Sequence, residues 1–184
     1  MSEWERDKAR TDPYLPYIKR ILGQYLISDA PIDEDRERNT DLIVLTLKPY
    51  RIGVRLRGWN YHARYGNQFT IRSSRPSGAK TEFEKIMDSW GDYFFYGFMH
   101  PHSERYRVVE WTLGDLNAFR DWVRSYGIEH NGQIPAAGQQ NGEAGGSGFL
   151  AFNLYDPKNG LPCVPDRFVV AKHREREEVS GSLL

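Results

Sequence analysis

Arg51, Arg55 and Arg57 occupy odd-numbered positions of the segment RIGVRLRG, and Ile52, Val54 and Leu56 alternate with them. An extended strand sends successive side chains to opposite faces, so this spacing predicts one aliphatic face and one guanidinium face. A second alternating segment, QFTIRSSR, adds Arg72 and Arg75; in it Thr70 and Arg72 share one face while Phe69 and Ile71 share the other. If the two strands are neighbours, Arg55, Arg57 and Arg72 line one surface, with Trp59, Tyr61 and Tyr65 close in sequence. Guanidinium forks match phosphate oxygens and lie flat on aromatic rings, so the predicted chemistry is phosphate contact with base stacking.

Charge is distributed unevenly around these arginines. From Leu42 to Thr81 there is no Asp or Glu, while Lys48, Arg51, Arg55, Arg57, Arg64, Arg72, Arg75 and Lys80 all fall there. Average usage would place roughly five acids in such a stretch. Acids resume immediately outside it, at Asp29 to Asp41 and from Glu82 onward. Two outcomes follow: the arginines pair with those flanking carboxylates, or they meet an external anion. The second makes Arg51, Arg55, Arg57, Arg72, Arg75 and Lys80 the phosphate-binding set. RPSGAKTE resembles half of a phosphate loop with Ser73 in place of the leading glycine, and it also reads as a capped helix start, with Thr81 answered by Glu84 three residues on.

The elements that must position these residues alternate in type. PYLPYIKRILGQYLI has helical spacing, LIVLTL reads as a central strand, and WNYHARYGN as a polar-aromatic connector. TEFEKIM predicts a helix, DYFFYGFM and RVVEWTL predict strands, and GDLNAFRDWVRSYG predicts a helix with Leu116, Phe119, Trp122 and Val123 inward, ended by Gly127. The expected division is a charged leader (1–12), an α/β core (13–127), a Gly-rich mobile loop (128–148), a C-terminal strand segment packing on the core (149–171) and a solvated tail (172–184). The fold class is α/β in the α+β sense, one mixed sheet flanked by helices.

Composition narrows the setting. The 184 residues carry 25 basic and 25 acidic side chains, so net charge announces no polyanionic partner. Cys163 is the single cysteine, which excludes an internal disulfide. No apolar run reaches the roughly 20 residues of a membrane span, and MSEWERDKARTD lacks a signal-type apolar core. The expectation is a cytoplasmic protein without a membrane. His100 and His102, in HPH, fall in an expected turn; His62, His130 and His173 are scattered, and no nucleophile–base constellation is visible.

The order helix, strand, TDLIVL, an alternating strand with a charged-x-charged pair, then helix and strand, resembles the PD-(D/E)XK restriction-endonuclease-like superfamily over roughly residues 13 to 98. The resemblance implies a restriction-endonuclease-like core and a divalent metal, Mg²⁺, that activates water. Asp41 matches the acid that opens a strand in that family, but the E-x-K positions read Arg55 and Arg57. Arginine ligates no metal and stays protonated, so the implied ligands are Asp41, Glu82 and Glu84. The implied catalytic set is Asp41, Glu84 and Arg57, with Arg57 stabilising charge where the family has lysine. TDLIVL, FTIRS, PSGAKTE and GDYFFYGF also look like phrases of phage and mobile-element proteins. The leading expectation is a nucleic-acid-binding or nucleic-acid-processing domain, a divergent or degenerate metal-dependent nuclease. Alternatives are a non-enzymatic phage or mobile-element protein that binds a host protein and inhibits a host system, and a nucleotide-binding protein.

Overall fold

The structure is a computed structural model that describes residues 3–23, 27–29, 42–44, 50–99, 107–140 and 146–174. Nine strands are assigned among these residues: β1 (Ile27–Asp29), β2 (Leu42–Val44), β3 (Ile52–Gly58), β4 (Gln68–Arg72), β5 (Tyr93–Met99), β6 (Val108–Asp115), β7 (Ala137–Gln140), β8 (Gly148–Asn153) and β9 (Val169–Arg174). A four-stranded sheet runs β3-β5-β6-β9, a three-stranded sheet β4-β8-β7, and β1 pairs with β2. β3 and β5 are parallel, with β4 and the helix Glu82–Met87 between them in sequence; the remaining pairings are antiparallel.

Both faces of the four-stranded sheet are covered. Leu56, Phe95, Trp111 and Leu113 pack against Ile18 and Leu22 of the helix Leu15–Gly23. The opposite face, with Phe94, Tyr96 and Phe98, packs against Phe69, Ile71 and Phe152 of the three-stranded sheet and Phe119 of the helix Leu116–Glu129. Asp115 starts that helix: its Oδ1 accepts from the N–H groups of Asn117 (2.7 Å) and Ala118 (3.2 Å), two donors that have no partner inside the helix.

The expected α+β class is the observed one, with several departures in detail. The strands divide among sheets instead of forming one, because alternation specifies which face of a strand is apolar and not which strand it pairs with. Leu42–Val44 of LIVLTL pairs with Ile27–Asp29 in a two-stranded sheet rather than lying centrally among the described strands. Glu3–Thr11, expected as a leader, is helical, with Lys8 and Asp12 paired at 2.6 Å one turn apart. Part of the expected Gly-rich loop, Ala137–Gln140, is an edge strand on β8, and the helix expected to stop at Gly127 continues to Glu129. Lys172–Arg174, expected in the tail, extends β9 along β6. Among the described residues no helix is long and apolar enough to cross a membrane.

Candidate anion-binding site

The alternation in RIGVRLRG is realised as expected, with a different consequence. Leu56 packs on the N-terminal helices, and the register aligns Arg55 with Tyr96 and Arg57 with Phe98 on the other face. That other face does not look into open solvent. The three-stranded sheet comes up against it: Arg57 Nη2 donates to Thr70 Oγ1 (2.5 Å), and Phe149, opposite Arg72 in the β4–β8 register, sits among the guanidiniums. The guanidinium carbons of Arg55, Arg57 and Arg72 lie 4.9, 5.2 and 5.7 Å from the centre of the Phe149 ring. Arg55, Arg57 and Arg72 are therefore brought together as expected, though from two sheets rather than from neighbouring strands of one.

Beside this cluster is a cavity of about 140 Å³ whose wall carries, among the described residues, Arg10, Arg55, Arg72, Arg75 and one acid, Glu82. Glu82 Oε2 accepts from Arg55 Nη1 (2.6 Å) and from the backbone N–H of Arg72 (3.0 Å). Burial pushes the Arg55 guanidinium below its ordinary range, with Glu82 pulling it back up and Arg57 and Arg72 adding repulsion. Among the described residues, the Nε–H groups of Arg55 and Arg75 on this wall are buried without an acceptor, and off the wall so are the Arg57 Nε–H and the Tyr96 hydroxyl. Each such orphan costs about 1–3 kcal/mol. The wall is thus rich in donors and positive charge and short of acceptors. Pockets for whole small molecules span roughly 300–1,000 Å³. This one has room for about four to five waters, the scale of a single phosphate or sulfate group.

The other expected site residues lie elsewhere. Arg51 is exposed, just ahead of β3, with its backbone N–H donating to Asp92 Oδ2 (2.8 Å); it lines a neighbouring hollow. Lys80 pairs with Asp88 and lies 5.3 Å over the Trp90 ring, away from the arginine cavity. Asp41, His100 and His102 lie outside the described residues. Glu84 closes the capping box: its Oε2 accepts from the Thr81 N–H (2.6 Å), and its own N–H donates to Thr81 Oγ1 (3.2 Å). The Thr81–Glu84 capping box is thus formed as expected, and these two N–H groups are paired within it. Glu82 and Glu84 stand two residues apart on one helix, so they project to different sides and serve different partners. They do not fit a shared Mg²⁺, and among the described residues no group of three or more His, Cys, Asp or Glu could hold a metal ion.

Several contributors were missed in the sequence. Arg10 reaches the cavity from the helix Glu3–Thr11, its Nη2 donating to Leu56 O (3.5 Å). Phe149 opens the apolar FLAFN strand and carried no sign of arginine neighbours. A second, larger cavity, about 680 Å³, holds His62, Glu110, Lys172 and His173. Within it His62 Nε2 lies 2.7 Å from Glu110 Oε2, and the His62 ring is stacked on Trp59 (4.2 Å). Glu110 could have been found, since a lone acid inside the apolar RVVEWTL strand needs a buried partner. Comparison of the chain with protein-family models, curated proteins and solved structures gives no match.

Proposed function

We propose that this chain is a nucleic-acid-binding domain that takes one backbone phosphate into the arginine cavity between β3 and β4. The observation that carries the reading is the pair of buried Nε–H groups on Arg55 and Arg75, without an acceptor among the described residues, at a cavity of phosphate size. A phosphate supplies what the wall lacks, oxygens and negative charge, and a recessed guanidinium wall binds it more strongly than exposed lysines would. The proposal is binding rather than cleavage, because Glu82 and Glu84 are committed to Arg55 and Thr81. Contact with nucleic acid and a single cysteine both suit the cytoplasm.

The test is fluorescence anisotropy with a labelled oligonucleotide, titrated across salt concentrations. Binding is expected to fall steeply with salt. Arg75→Met, which removes a guanidinium whose Nε–H has no acceptor, is expected to weaken binding about tenfold with the thermal unfolding temperature unchanged or raised. Salt-independent binding, or equal binding by a folded Arg75→Met variant, would overturn the reading.

A further inference from the structure

The arginine cavity has a neighbour that shares two of its residues. A hollow of about 390 Å³ is bounded by Arg51, Lys85 and Trp90 over an apolar floor that includes Phe94 and Leu116, and Arg75 and Glu82 belong to both walls. The two spaces therefore adjoin. The smaller has the size and chemistry of a phosphate site; the larger falls within the range of flat organic groups.

Trp90 is the feature that specifies the occupant. Its side chain is 58% exposed, in a chain whose other tryptophans with side chains described are half-buried or buried. The turn that carries it is bent on either side, with Ser89 at φ 67° and Gly91 at φ 94°. A left-handed serine is disfavoured, so this turn is kept against a local penalty. It is also tied down: the Trp90 N–H donates to Lys85 O (2.9 Å), and the Asp92 N–H donates to Arg51 O (2.9 Å). The ammonium groups of Lys80 and Lys85 lie 5.3 and 5.7 Å from the ring centre, which places positive charge at an aromatic platform.

We infer that the Trp90 hollow seats an unpaired nucleobase attached to the phosphate held by the arginines, which makes the ligand single-stranded nucleic acid. This inference rests on the phosphate reading above and adds the base. An aromatic face accepts any base whose own face is open, and in a duplex those faces are buried in the stack. Arg51 and Lys85, on the wall of the hollow, meet the sugar-phosphate chain beside the base, while Lys80 is held by Asp88.

The experiment compares three labelled probes on the full chain: a short oligothymidylate, an abasic strand of equal length, and a duplex. The wild type is expected to bind oligothymidylate about tenfold more tightly than the abasic strand. Trp90→Ala is expected to abolish that difference while leaving abasic binding and its salt dependence intact, and Trp90→Phe to restore part of it; circular dichroism establishes that both variants fold. Equal preference for oligothymidylate in Trp90→Ala, or equal affinity for duplex in the wild type, overturns the base assignment. Competition by thymidine monophosphate as strong as by the oligonucleotide overturns the strand and leaves a nucleotide site. Failure of the phosphate reading is distinct: the abasic strand then shows no binding that Arg75→Met weakens.

Discussion

Arg120 and Arg75 show two ways in which one side chain is used in this protein. Arg120 is 4% exposed and satisfied: it donates to Ile86 O (3.2 Å), Gly91 O (3.3 Å) and Asn117 Oδ1 (2.6 Å), joining two helices and a turn. Arg75 leaves its Nε–H without an acceptor among the described residues at a cavity wall. Buried donors without a partner are few in native proteins, and the proposed reading gives this one an anion. Glu84 illustrates the same local accounting with a pH consequence. Its hydrogen bonds at Thr81 hold the carboxyl below the ordinary carboxylate range. The folded state then binds that proton less readily than the unfolded chain does. The stabilisation is therefore complete above the ordinary carboxylate value and is lost as pH falls through the lowered one. Thermal melts across acidic pH should show a smaller acid-induced decline in Glu84→Gln than in the wild type; identical profiles would remove Glu84 from the account.

Strand β6 shows how tightly the elements are fitted. Gly114 lies under the ring of Phe168, where an added Cβ would fall 2.1 Å from the nearest ring carbon. Phe168 is 1% exposed and stacks on Phe69 at 5.1 Å, so it has nowhere to move. Gly114→Ala is expected to destabilise the fold by about 1–3 kcal/mol through overpacking, measured as a lower urea midpoint at unchanged slope. An unchanged midpoint would mean that the ring has more freedom than its contacts suggest. Strand β3 poses the opposite problem. Its aliphatic face is buried by helices and its arginine face by a sheet, so a strand that reads as half-solvated is covered on both sides.

For the molecule as a whole, a clustered set of arginines with Glu82 as the acid on their shared wall predicts linkage between anion binding and stability. A ligand that binds only the folded state stabilises it, by about 2.7 kcal/mol at a hundredfold excess over Kd. For a domain of this size that corresponds to roughly 5–10 °C. Inorganic phosphate is expected to raise the melting temperature of the wild type more than that of Arg75→Met. The variant controls for the general stabilisation that phosphate gives by exclusion from protein surfaces. Equal shifts in both proteins would count against a specific site.

What could be read in advance was what depends on local periodicity and capping: the strands RIGVRLRG, QFTIR, DYFFYGFM and RVVEWTL, the Thr81–Glu84 capping box, the amphipathic helix from Leu116, and the shared face of Arg55 and Arg57. These follow from side-chain direction along a single element, which a sequence states outright. Partner choice is non-local and was decided by the tertiary structure alone. It set Phe149 among three guanidiniums, carried Arg10 in from the first helix, divided the strands between sheets, joined His62 to Glu110, and placed Trp90 beside the arginine cavity. Alternation determines which way a side chain points, whereas what it meets there depends on how residues distant in the chain pack together.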